Sequence, residues 1–413
     1  MLSFQFEKKN SKLSKLFTSL LIISPILAPY QISGISFGFL GLLLIVPLIV
    51  LFELRIGVKW PKYFWFYFIY IILTRIFYAD GLYISNLFSF SVISFVILTG
   101  LSGQYFNLKY AVKIYRKSVL FCVSFFVFQE LMFYTVGYRL VGLLPFDIYG
   151  NESYDVIKLR LSAISRSSSF FHEPSYFSEY LIPLLAIELF NSKNNKLINI
   201  SAISISIVLL FLKSGLGIAI MSILWVIWII YSLKKFSFNK KLIIIFILIP
   251  ILLLGSFFYI KSEIGDELLL RTEEFGIVDG TTSTYVRIIR GYDLYSEFIT
   301  FNKVFGLNSS FKIQSLIESS SMYNLFPTDD LSFNSVQSIL IYGGFFGLLL
   351  FFLHFNYLFR KNTIEGKLLA IAFLLLSLIA AIYLKPTMLL IYSFMFGFHK
   401  QYLNSRIDYS SLN

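Results

Sequence analysis

Apolar runs close to the thickness of a membrane recur along almost the whole chain. They are read at 16–31, 34–53, 63–80, 84–101, 117–137, 174–190, 197–212, 214–232, 241–260, 335–358, 367–384 and 386–398. A helix needs roughly 20 apolar residues to cross a bilayer core. Composition agrees: 57% of the 413 residues are hydrophobic and 14% are charged, where soluble domains carry about 25% charged residues. A soluble fold built from this chain would lack the polar residues to cover its surface. The expectation is an all-α, polytopic integral membrane protein of about twelve transmembrane helices, with residues 1–413 forming a single transmembrane domain.

A net charge of +12 first suggests a nucleic-acid partner, but the distribution argues otherwise. The cations fall in short segments between apolar runs. Lys8, Lys9, Lys12 and Lys15 precede the first run, and Arg55, Lys59 and Lys62 follow the second. Lys109, Lys113, Arg116 and Lys117 follow the fourth; Lys193 and Lys196 the sixth; Lys234, Lys235, Lys240 and Lys241 the eighth. Arg360, Lys361 and Lys367 follow the tenth, and Lys400 and Arg406 the last. All lie on one side if the N-terminus is cytoplasmic, as the positive-inside rule requires, and both termini are then inside. No nucleic acid is expected. The only cysteine, Cys122, and the scattered His172, His354 and His399 suggest neither a disulfide framework nor a metal site. The first run lacks a small-residue cleavage site, so no cleavable signal peptide is expected.

Two long segments fall on the outer face, 138–173 and 261–334. Loops this long are usually functional or disordered, and both mix aromatic with charged residues, so the working surface is expected outside. No internal repeat suggests the paired halves of many transporters.

The first loop ends in SRSSSFFHEPSYFSEYL, residues 165–181. Pro174 suits a first helical turn, and Glu173 suits the cap before it. Arg166 and His172 then lie above the membrane surface. Glu179 lies more than a turn inside the span, where a carboxylate is costly and a functional candidate by default. The bland alternatives are a cap for Glu173, interfacial packing for His172 and a shallow position for Glu179. The second loop holds TYVRIIRGYDLYSEF, residues 284–298. Arg287 and Arg290, three apart, would share one face of an α-helix. They could grip a diphosphate, or touch lipid phosphate from an interfacial helix. Lys213 opens KSGLG at the outer end of a span-to-span turn, where Gly215 and Gly217 permit close backbone approach. Lys213, Arg75 and Lys385 also read as snorkelling cations. Four outer-face cations, Arg166, Lys213, Arg287 and Arg290, fit an anionic ligand at the outer leaflet. No phosphate-cradling glycine loop is present, and Asp329-Asp330 reads as a solvated turn.

These pieces resemble the O-antigen polymerase (Wzy) family, which groups with the O-antigen ligases. Arg166 followed by SSSFFHEPSYFSEYL is similar to that family's R-x-S-x-F-x-E-P-S region. KSGLG resembles its serine-glycine turn; the Arg287–Arg290 segment with VFGLN at 304–308 resembles its arginine helix and following turn. Asn334 with SVQSILIYGGFFGLLLFF resembles the segment leading into its last large span. The spacing from the arginines to the next glycine departs from the R-x10-G pattern, and the second loop lacks the ligases' histidine. The latter favours polymerase over ligase; a flippase for the same lipid is the further alternative. The resemblance implies a GT-C-like fold in the bacterial cytoplasmic (inner) membrane. It implies metal-independent glycosyl transfer without a cofactor, between glycans carried on undecaprenyl diphosphate, giving O-antigen or capsular polymer. A chain-length regulator protein is a possible partner. Arg166, Arg287 and Arg290, with Lys213, would hold the diphosphate. His172 or Glu173 would act on the acceptor hydroxyl, and Glu179 and Asn334 would bind substrate.

Overall fold

The structure is a computed structural model that describes residues 11–32, 35–52, 58–77, 87–138, 140–145, 155, 158, 166–190, 199–235, 285–320, 326 and 333–410. These residues are mostly helical. In chain order they form α1 (Ser11–Ile23), α2 (Phe37–Leu43), α3 (Ile45–Phe52), α4 (Phe64–Phe77), α5 (Leu87–Tyr105), α6 (Leu108–Val136), α7 (Pro174–Phe190), α8 (Ile200–Phe211) and α9 (Gly215–Lys235). A π-helical turn, Tyr285–Ile289, leads into α10 (Arg290–Ser296), α11 (Thr300–Phe305) and α12 (Ser310–Ser319). Then come α13 (Ser335–Arg360), α14 (Ile364–Ile379) and α15 (Pro386–Ser410). Among the described residues the strands are β1 (Gln31–Ile32) and β2 (Ile35–Ser36), a short antiparallel hairpin.

Among the described residues four helices are long and apolar enough to cross a membrane: residues 88–105 of α5, the whole of α6, residues 215–234 of α9, and α13. Several apolar helices of this kind suggest a membrane protein. Other expected spans come out differently. The run at 34–53 is divided at Leu44 into α2 and α3, and the first run leaves its helix at Ile23, just before Pro25. α4 and α8, with 14 and 12 residues, are shorter than a full crossing. The run at 117–137 begins earlier, at Leu108, because Asn107 caps the helix there by accepting from the Tyr110 amide. The run at 241–260, about half of each long loop and Asp329-Asp330 lie outside the described residues.

At the centre stands α7. Every residue of it except Tyr176 is buried, matching a sequence that is apolar on every side apart from Ser175, Ser178, Glu179 and Glu188. It packs against α8, α9 and α14. Gly217 lets α9 approach, since a Cβ there would meet Ser178 Oγ at 2.6 Å; Gly215 has nothing near it, so the expected close approach belongs to Gly217 alone. α6 lies at the periphery, with Leu120, Phe121 and Leu131 all more than half exposed. Such a surface suits lipid contact.

α13 is interrupted. Gly344 has φ +63° and ψ −170°, which no helix accommodates. The interruption receives the turn after α11, where Gly306 has φ +81°. The two glycines meet backbone to backbone. The Leu307 amide donates to the Ile341 carbonyl at 2.8 Å, and the Tyr70 hydroxyl lies 2.9 Å from the Gly343 carbonyl and 2.6 Å from the Phe305 carbonyl. Carbonyls freed by the break thus find donors, as non-helical backbone away from water must. The Asn308 amide donates to the Ile71 carbonyl at 2.8 Å. Arg75, nearly fully buried, donates to Ser89 at 2.8 Å and lies over Phe88. It therefore ties α4 to α5 rather than snorkelling. The described part of the second loop has its own apolar cluster, including Leu294, Phe298, Leu307, Ile313 and Phe333, closed by Ile341 and Tyr342 of α13.

Candidate functional site

α7 carries two buried carboxylates with different surroundings. Glu188 accepts from Arg116 at 2.6 and 3.1 Å, and from the Asn199 side chain at 2.5 Å. That is how a buried carboxylate is normally satisfied. Glu179, 5% exposed, makes no hydrogen bond with any described residue. It faces a cavity of about 570 Å³ at the end of the bundle that the charge pattern assigns to the outside. Pro183 lacks the amide that would bond the Glu179 carbonyl, so the helix is locally open at this position.

Three helix starts reach this cavity. Tyr176 and Glu179 line it from the first turns of α7, Ser338 from the first turn of α13, and Pro386 and Thr387 from the first turn of α15. Helix starts carry partial positive charge. Lys385, exposed and just ahead of α15, adds a full cation and lies 5.8 Å from the Tyr176 ring centre. Tyr342 and Tyr383 form aromatic wall, and the Tyr383 hydroxyl lies 2.6 Å from that of Tyr67. His172 lines the cavity beside Phe171.

The arginine segment reaches the rim. Arg287 pairs with Glu173 at 3.2 Å, and Ser175 donates to the same Glu173 oxygen at 3.0 Å. Lys385 and Arg287 act on Glu179 as nearby cations, and Glu173 as a like charge. The expectation that Arg287 and Arg290 share a face fails. Residues 285–289 are wound as a π turn, so a spacing of three no longer aligns them. Arg287 stays partly exposed at the rim, while Arg290 is 2% exposed with its guanidinium 4.6 Å from the Phe326 ring centre. Tyr285 fastens the turn by donating to Asp293 at 2.9 Å; burial, with that bonded carboxylate, pushes its phenol up to about 12.

Asn334 caps α13. Its side chain accepts from the Gln337 amide and donates to the Arg287 carbonyl, each at 2.8 Å, while Gln337 donates to the Ile288 carbonyl at 2.9 Å. Asn334 therefore acts on the site by holding the arginine turn against α13. The Asn-x-x-Gln capping box was legible at this position.

Arg166 and Lys213 meet away from the cavity lining: Arg166 Nη1 donates to the Lys213 carbonyl at 2.9 Å. Lys213 follows the end of α8 with φ +50°, a left-handed conformation that favours glycine. Lys213→Gly should relieve about 1 kcal/mol of backbone strain. The expected result is a raised thermal midpoint in detergent with function retained. Loss of function at normal abundance would return the lysine side chain to the ligand.

Thus His172 and Glu179 line the cavity, Glu173 and Arg287 stand at its rim, and Arg166, Lys213, Arg290 and Asn334 support neighbouring backbone or loop packing. Lys385, Tyr176 and Tyr383 join the lining without having been singled out as ligands. Lys385 had a signal, as a cation between two apolar runs on the side where cations are scarce. Among the described residues no three His, Cys, Asp or Glu side chains gather closely enough to hold a metal ion. No protein-family model matches the chain, and it has no match among the curated proteins searched.

Proposed function

We propose that this protein is a polysaccharide polymerase of the O-antigen polymerase type. It spans the bacterial cytoplasmic membrane about twelve times with both termini inside. At the outer face it joins oligosaccharide repeats carried on undecaprenyl diphosphate, without a metal. The product is O-antigen or capsular polymer, and a chain-length regulator protein is the expected partner.

The observation that carries this reading is the convergence at one cavity of segments far apart in the sequence. The loop before α7, the arginine turn, and the starts of α13 and α15 all meet there. The cavity joins aromatic walls, suited to sugar rings, with a cationic rim. In the transfer an acceptor hydroxyl attacks the anomeric carbon of the donor. The bond from that carbon to the diphosphate oxygen breaks, and the lipid diphosphate leaves with the electron pair. Negative charge grows on a group already able to leave, so fixed cations suffice to stabilise it. Arg287 and Lys385, the latter just ahead of α15, are the cations proposed for that role. Arg166 supports the turn at Lys213 by donating to its carbonyl, away from the cavity lining.

The test is the glycan pattern of a strain whose gene is deleted. Single repeats should accumulate on the outer side, and the full ladder should return on complementation. A ladder that persists without the gene overturns the reading. Repeats trapped on the inner side would make the protein a flippase.

A further inference from the structure

We infer that Glu179 is the base that takes the proton from the acceptor hydroxyl, a role that rests on the polymerase reading and deepens it. The argument starts from the comparison within α7. Glu179 and Glu188 are on the same helix, nine positions apart, and both are buried. Glu188 is closed off by Arg116 and Asn199. Glu179 is left without a described hydrogen-bond donor, and its carboxylate faces the cavity. Its carboxylate opens on the cavity, where a donor that arrives with the ligand can take the place of water. A sugar hydroxyl is such a donor.

The other acidic candidate is already engaged. Glu173 accepts from Arg287 and from Ser175 through one oxygen, at the rim. It orients the arginine and is a positioning residue. Groups facing Glu179 come from every side of the cavity. Lys385 precedes α15, and Arg287 belongs to the π turn. His172, Tyr176, Tyr342 and Tyr383 complete the titratable lining.

The step balances. The acceptor O–H bond breaks and its proton moves to a Glu179 oxygen. The acceptor oxygen bonds the anomeric carbon, and the bond from that carbon to the diphosphate breaks. The departing diphosphate carries its charge toward Lys385 and Arg287, and Glu179 then returns the proton to water at the cavity mouth.

The experiment uses full-length protein in vesicles, with the native lipid-linked repeat purified from the deletion strain as donor and acceptor. Wild-type protein must extend it; failure here would overturn the polymerase reading itself and would be seen before any variant is tested. Glu179→Gln keeps the shape and should lower the initial rate by about 10²-fold or more, as loss of a general base does. Binding of the labelled repeat should stay within threefold. The rise of wild-type rate with pH that reports the base should disappear in Glu179→Gln and persist in Glu173→Gln. Glu179→Asp, which keeps the carboxylate, should recover part of the rate and serves if the glutamine variant does not reach the membrane. A glutamine variant within threefold of wild type, or one whose loss is entirely in binding, overturns the inference while leaving the polymerase reading intact.

Discussion

Replacing Arg287 by alanine is expected to abolish long polymer while the protein stays in the membrane at wild-type abundance. The side chain contributes little to the fold. Its ion pair with Glu173 is 38% exposed on the arginine side and 30% on the glutamate side, and pairs of that kind contribute about 0–1 kcal/mol. The arginine turn is held instead through backbone, by Asn334 and Gln337, and alanine leaves those bonds intact. Removing one preorganised donor from a developing anion costs about 10²–10³ in rate, enough to erase a ladder that needs many successive transfers. Arg287→Lys should fall between, retaining the charge and losing the planar fork. Arg290 makes a useful contrast. It is buried against Phe326 inside the loop, so Arg290→Ala should lower abundance as well as polymer. The checks are a glycan gel and a membrane blot for each variant. An unchanged ladder from Arg287→Ala would reduce the pair to a strap between the loop and α7.

Much of the bundle was legible because membrane constraints act locally. The bounds of α7 follow from Pro174 and the apolar run, and they match the structure residue for residue. Where reading failed, non-local packing decided. Arg287 and Arg290 have α-helical spacing, and nothing nearby in sequence announces a π turn; Gln337 and Asn334, nearly fifty residues away, hold its carbonyls. Glu188 has no local signal, because a glutamate near the end of an apolar run looks like an interfacial charge, and its partner Arg116 lies on another helix. Glu179 was recognisable as costly, but only the cavity distinguishes it from its satisfied neighbour. Nothing in the sequence sets the Gly343-Gly344 pair apart from other glycines in apolar runs. Its meaning depends on Gly306, which belongs to a different segment.

That glycine contact gives the second large expectation. Gly344→Ala should disorganise the segment 285–320 and with it the site. A Cβ at Gly344 would stand 2.3 Å from the Gly306 amide nitrogen and 2.4 Å from the Val304 carbonyl oxygen. Both are backbone atoms of a turn fixed by Leu307 and Asn308, so neither can rotate aside. The backbone conformation alone costs a non-glycine residue about 1–3 kcal/mol; the overlap adds to this, and a total above roughly 4 kcal/mol falls in the range of exceptional substitutions. The turn cannot retreat cheaply, because the Ile341 carbonyl would then lose the Leu307 amide, and the Phe305 carbonyl the Tyr70 hydroxyl. Loss of the contact also releases the cluster of Leu294, Phe298 and Leu307 from α13, and the arginine turn is continuous with it. Expected results are rapid protease cleavage within 285–320 in spheroplasts, a lowered thermal midpoint and no polymer. Gly41→Ala is the control: its Cβ meets nothing within 4 Å, and alanine inside a helix is preferred by about 0.5–1 kcal/mol. Protease resistance and a wild-type midpoint in Gly344→Ala would mean that α13 can run on unbroken, and that the Gly306 turn does not hold the arginine segment in place.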